Sequence, residues 1–136
     1  MENPPPGVAG KSSTGLDENI AALLTYIFGW VSGLIFFLIE KDSKLVRFHA
    51  MQAILMNVLV IVIGIVLWIV TFVLVLIASQ LADIMGTLVG LIGFLIWLVF
   101  ALAVLAAWIL CLVRAYQRKF FKLPIIGNMA DKIVNK

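Results

Sequence analysis

The sequence predicts an all-α, polytopic integral membrane protein, with three transmembrane helices and a C-terminal amphipathic helix. Three observations predict it. Of the 136 residues, 64% are hydrophobic and 12% charged, and the mean hydropathy is +1.18. Soluble domains run about 45–50% apolar and about 25% charged, and so short a chain has too little interior to hide the excess from water. That excludes a soluble globular domain and a disordered chain. Second, the apolar residues fall into three uncharged runs of 20, 25 and 30 residues. Third, the Lys and Arg residues are confined to the polar segments between and beyond those runs.

Taken in order, residues 1–14 read as a flexible tail. Pro4-Pro5-Pro6-Gly7 cannot start a helix and should be extended. Thr14-Gly15-Leu16-Asp17 has the spacing of a capping box, so a helix is expected from near Gly15, with Asp17 and Glu18 favoured by the dipole in its first turn. Residues 20–39 form the first expected span, because 20 residues at 1.5 Å each cover a core of roughly 30 Å. A cleaved signal peptide would need a basic flank and a small-residue cleavage site. Here the flank is acidic and the run ends in Phe36-Phe37-Leu38-Ile39.

Residues 40–52 read as a polar connection. Residues 53–77 are the second span. They are rich in Val and Ile, which favour strands in water, but in lipid each segment must satisfy its own backbone and helix wins. Residues 78–83 make a tight turn. Residues 84–113 are the third span, long enough to tilt or protrude, with Gly86, Gly90 and Gly93 marking a place where it could break. The transmembrane domain is therefore residues 15–113, and residues 114–136 are a basic cytoplasmic tail.

Three crossings put the termini on opposite sides. The first connection holds Lys41, Lys44 and Arg47, and the tail holds Arg114, Arg118, Lys119, Lys122, Lys132 and Lys136, against Lys11 alone on the other face. The positive-inside rule then predicts a prokaryotic cell membrane protein with its N-terminus outside and its C-terminus in the cytoplasm. Phe36, Phe37, Phe48, Trp108, Tyr116, Phe120 and Phe121 would gather at the cytoplasmic interface, while Trp30, Trp68 and Trp97 fall mid-span.

Several features bear on function. Gly29 and Gly33, Gly86 and Gly90, and Ala103 and Ala107 place small residues at i, i+4, the spacing that lets membrane helices approach closely. They are expected to pack helices, within the chain or between copies. No Asp, Glu, Lys, Arg or His lies inside a run, which disfavours a proton-coupled transporter. Asn57 is the most polar residue within a run and could bond across helices. His49 and Gln52 share a helix face three residues apart and, with Arg47, are expected to anchor the helix start at the interface or to meet a partner. Arg114, Arg118, Lys119 and Lys122 are expected to meet anionic lipid headgroups. Past Pro124, the residues Ile126, Met129, Ala130, Ile133 and Val134 make the stripe of an amphipathic helix, lying on the membrane or on a partner protein. A lone Cys111 and a lone His49 exclude an internal disulfide and a two-histidine metal motif, and no serine has a base beside it. No catalytic residue, cofactor, metal or nucleic acid is expected.

Three stretches carry a family resemblance. They are Leu23-Leu24-Thr25-Tyr26 with Gly29-Trp30-Val31-Ser32-Gly33; Glu40-Lys41 with Val46-Arg47-Phe48-His49-Ala50-Met51-Gln52; and Lys122-Leu123-Pro124-Ile125-Ile126-Gly127-Asn128-Met129-Ala130. In this order they resemble an uncharacterised family of small bacterial and archaeal membrane proteins. That family is described as similar to Tic-type chloroplast import components, and it includes magnetosome membrane proteins that influence magnetite crystal growth. The resemblance spans about residues 14–134 and implies a helical membrane protein with no assigned enzyme activity. No acidic, mineral-binding stretch accompanies it here. The expected function is non-enzymatic assembly with itself or with partner membrane proteins; the alternative is an oligomeric pore or a transporter or translocation subunit.

Overall fold

Five helices follow one another in the computed structural model, which describes residues 10–136: α1 (Glu18–Leu24), α2 (Trp30–Ile39), α3 (Lys44–Leu81), α4 (Asp83–Tyr116) and α5 (Ile126–Val134). The expectation for Pro4–Gly7 lies outside the described residues. Among the described residues the only β pairing is one isolated bridge, Lys11 with Asp17. The chain divides into two units. One takes in the chain up to Val58 together with Ala107–Lys136, and the other is Leu59–Ala106.

Among the described residues two helices, not three, are long and apolar enough to cross a membrane: α3 with 38 residues and α4 with 34. The second and third expected spans lie within them. At 1.5 Å per residue they measure roughly 57 and 51 Å, well beyond a core of roughly 30 Å. Part of the connection read as polar loop is therefore helix. The start is set by Ser43, whose Oγ accepts from Val46 N–H at 3.3 Å and whose carbonyl accepts from Arg47 N–H at 3.1 Å. The turn between the long helices shrinks to Ala82, whose carbonyl accepts from Met85 and Gly86 N–H. α4 runs unbroken through Gly86, Gly90 and Gly93.

The first expected span is corrected. Residues 20–39 do not form one helix. They fold into α1, a turn at residues 25–29, and α2 of 10 residues. Gly29 adopts φ 62°, outside the helical region and open to glycine without strain. The flanks of the run meet each other: Lys41 N–H donates to Ser13 Oγ at 2.9 Å, and Ser43 Oγ donates to Glu18 Oε1 at 3.2 Å. A spanning helix would hold those flanks roughly 30 Å apart. The first of the three expected spans is therefore not present as a single spanning helix. The start of α1 also moves, from near Gly15 to Glu18. Thr14 does not cap it. Gly15, at φ 83°, turns the chain so that Ser12 N–H donates to Leu16 O and Glu18 N–H to Gly10 O.

In the unit Leu59–Ala106, each helix hides one stripe. A Cβ on Gly86 would sit 2.9 Å from Ser79 Cβ, and one on Gly93 would run into Thr71 Cγ2, while Gly90 faces Val75 and Gly64 faces Trp97. The glycines thus bring two backbones of the same chain together. Trp68 and Phe72, stacked at 5.5 Å, stay exposed, as do most Val, Ile and Leu side chains of both helices.

The other unit is inside-out by the standard of a water-soluble domain. Thr25, Tyr26, Ser32, Glu40, His49 and Gln52 are buried, whereas Ile27, Phe28, Trp30, Ile35 and Leu38 are exposed. α5 forms where the amphipathic stripe predicted it and buries Ile126, Gly127 and Ala130. A Cβ on Gly127 would lie 2.5 Å from Lys122 Cα. We expect Gly127→Ala to cost about 1–3 kcal/mol, because backbone cannot yield as a side-chain end can. Faster proteolysis after Lys132 in detergent would report it; an unchanged rate and melting temperature would contradict it.

Candidate functional site

Two buried polar clusters organise the unit that contains α1, α2 and α5. The first surrounds Glu40, at the end of α2. Its carboxylate accepts from Ser12 Oγ, from Ser13 N–H at 3.0 Å and Ser13 Oγ at 2.8 Å, and from Asp42 and Ser43 N–H at 3.0 and 2.9 Å. It therefore joins the residue 10–17 loop to the start of α3. Arg47 donates to Glu40 O at 3.1 Å and lies 4.9 Å over the Phe37 ring. Burial pushes the Glu40 carboxyl up, but the donors from Ser12, Ser43 and Ser13 outweigh it and lower its pKa from 4.5 to about 2. A value lowered on folding stabilises the fold fully above about pH 4.5, and the gain is lost as the pH falls toward 2. Thermal unfolding followed in an acid-stable detergent should therefore show a falling midpoint across that window in the native chain. In Glu40→Gln that fall should be smaller; equal slopes would contradict the assignment.

The second cluster is built on one face of α3. His49 and Gln52, three residues apart, both point at Tyr26 and at the segment after α4. His49 Nε2 lies 2.9 Å from Lys119 O, and a carbonyl only accepts, so Nε2 carries the proton. In the neutral ring Nδ1 is then an acceptor, and the Tyr26 hydroxyl donates to it at 2.9 Å. Gln52 Nε2 donates to Tyr26 Oη at 3.2 Å and to Phe121 O at 3.0 Å, while its Oε1 accepts from Leu123 N–H at 3.2 Å. Trp108 Nε1 donates to Tyr26 O at 3.0 Å, and Phe48 packs edge-on against His49 and Phe120. Each polar atom of these three side chains has a partner within the chain. Chemically the arrangement holds residues 119–123 against α3; it does not aim a reactive atom at open space.

The sequence-predicted residues fall as follows. His49 and Gln52 are fully enclosed, so neither lies at a surface where a headgroup or partner could reach it, and Arg47 is half-buried. The expected anchoring face is instead an internal latch. Gly33 packs closely, its Cβ position lying 2.9 Å from Ala50 O, whereas Gly29 ends up in the turn beside Asn57. Asn57 donates to Ala53 O of its own helix, at 2.8 Å, rather than across helices. Ala103 is exposed and Ala107 half-buried. Lys119 is exposed; Lys122 pairs with Asp131 at 2.5 Å; Arg114 lies 5.6 Å over the Phe121 ring; Arg118 is held at φ 57°. Glu40 and Tyr26 were not singled out as site residues. The available signal was a lone acid closing an apolar run, with Ser43 three residues on. Among the described residues, no group of three His, Cys, Asp or Glu side chains is placed to hold a metal ion.

Comparison with known proteins finds relatives that are membrane proteins. A UPF0132 membrane protein of Methanocaldococcus jannaschii is 38% identical over 123 residues, covering 90% of this chain and 94% of the relative. A UPF0132 membrane protein of Archaeoglobus fulgidus is 33% identical over 117 residues, covering 86% and 95%. A second one from M. jannaschii is 30% identical over 125 residues, covering 87% and 71%. No solved structure matches the chain. The model of the magnetosome magnetite crystal formation protein family matches residues 16–130, which takes in Glu40 and the whole cluster around His49 and Gln52, but not Ser12 and Ser13, and reaches as far as Ala130 in α5. On that match and those relatives, this small membrane protein belongs to the magnetosome magnetite crystal formation protein family.

Proposed function

We propose that the protein is non-enzymatic and acts by helix–helix assembly in the membrane, with itself or with partner membrane proteins. The observation that supports this is the surface of Leu59–Ala106. Two helices enclose no interior for a substrate or an ion, and the one acid there, Asp83, begins α4. The single small-residue seam is used within the chain, so the exposed apolar faces, with Trp68 and Phe94 on them, meet lipid or other helices. Photo-crosslinking from positions 68 and 94 in native membranes tests this. Adducts of discrete protein mass are expected. Adducts to lipid alone, with a strict monomer in mild detergent, would contradict the reading.

The charge pattern supports a cytoplasmic location for both ends of the hairpin. All ten Lys and Arg residues lie at or before Arg47 or from Arg114 onward, and the Ala82 turn carries none. With two crossings these segments share one side, and the positive-inside rule makes it the cytoplasm.

A further inference from the structure

We infer that the α1–α2 hairpin is a re-entrant wedge: it enters one leaflet only, the leaflet on the side of Lys41, and makes the protein favour membrane curved toward that leaflet. The occupant of its apolar face is lipid acyl chain. The inference stands apart from the assembly reading and needs no partner protein.

Four observations carry it. The ends are pinned together, with Ser13 and Glu18 bonded to the Glu40–Ser43 segment, so the run cannot cross. The tip is apolar and outward: Phe28 is 77% exposed, and Ile27, Trp30 and Val31 beside it are exposed too. In water such a patch would be costly. The turn also satisfies much of its own backbone. Ile27 N–H donates to Leu24 O at 3.2 Å, Phe28 N–H to Ser32 Oγ at 3.1 Å and Gly29 N–H to Tyr26 O at 3.4 Å; Ser32 Oγ donates to Thr25 O at 2.9 Å. Such internal bonds suit an irregular turn at membrane depth, because hydrocarbon supplies no hydrogen bonds. Finally, the length fits. Ten residues of α2 rise roughly 15 Å, half of a core of roughly 30 Å.

The surroundings agree. An open apolar groove of about 220 Å³, lined by Leu24, Ile27, Phe28, Ser32, Ile35 and Phe36, is shaped for a hydrocarbon chain. At the pinned end, Lys41 and Lys44 are exposed, which suits anionic headgroups one half-bilayer above the tip. A body that adds cross-section to one leaflet and none to the other relieves packing strain where that leaflet is stretched, which is the basis of curvature preference.

The test uses the full chain with Cys111→Ala, reconstituted in uniform orientation into phosphatidylcholine–phosphatidylglycerol vesicles. An environment-sensitive fluorophore is attached at Phe28→Cys and, as a second tip position should the first disturb folding, at Trp30→Cys. Quenching should be strongest from lipids brominated midway along the acyl chain. Impermeant maleimide should reach Lys11→Cys and Lys41→Cys from the same face. On tubes drawn from giant vesicles, with the Lys41 side outward, the protein-to-lipid ratio should rise several-fold over the flat membrane, and Ile27→Ser with Phe28→Ser should abolish the rise. A fluorophore left in water, labelling of the two lysine positions from opposite faces, or an equal ratio on tube and flat membrane would each overturn the proposal.

Discussion

Replacing Glu40 by alanine will lower the unfolding midpoint sharply and release the residue 10–17 loop. The carboxylate is buried and collects donors from two separate stretches of the chain: Ser12 and Ser13, and the amides of Asp42 and Ser43. Alanine removes the acceptor and leaves the donors behind. Ser13 and Asp42 are exposed, so water can serve them in part; Ser43 is buried, and its N–H would go without. Hydrogen bonds to a charged group contribute about 1.5–3 kcal/mol each, so with that partial rescue the net loss should be roughly 2–4 kcal/mol. Tryptophan fluorescence during thermal unfolding in detergent would measure it, and trypsin cleavage at Lys11 should accelerate. An unchanged midpoint with unchanged cleavage would show that the knot contributes little.

The second large effect is expected from Gln52→Leu, which keeps size and apolar contact but deletes both polar ends. The buried Leu123 N–H would lose its acceptor and Phe121 O its donor. Two backbone groups stranded in this way cost about 1–3 kcal/mol each, for a total of roughly 2–6 kcal/mol. The damage should be local. Residues 119–123 would detach from α3, so proteolysis at Lys119 and Lys122 would rise while the hairpin of α3 and α4 survives. Gln52→Glu separates shape from chemistry: it keeps the acceptor for Leu123 but turns a second acceptor toward Phe121 O. It should therefore behave like leucine. If both variants resist protease as the native chain does, the latch assignment is wrong.

The parts of the fold legible in the sequence were those that rest on one kind of signal. Apolar runs alone give α3 and α4, since 25 and 30 uncharged residues in lipid have no alternative to helix. The spacing from Ile126 to Val134 gives α5. The break in the first run was not legible, because hydropathy counts the absence of charge, and Thr25 and Ser32 add little to that count. Their hydroxyls serve the turn, and Gly29, read as half of a helical small-residue pair, sits at positive φ outside any helix. The polar clusters were legible only as residue types. The face shared by His49 and Gln52 was visible from their spacing, yet their partners lie 69 to 71 residues away, beyond any local pattern. Glu40 reads as a boundary residue until the loop that binds it is seen folded back upon it.

The central claim is that the first apolar run returns to the side it left, so that the chain crosses twice. Single cysteines at Lys11, Ala82 and Asn135, in a Cys111→Ala chain and labelled with impermeant maleimide in intact cells, measure this directly. The account predicts labelling at position 82 alone, with positions 11 and 135 reacting only after permeabilisation. Labelling at position 11 in intact cells, with position 135 protected, would mean that residues 20–39 cross the membrane and would contradict it.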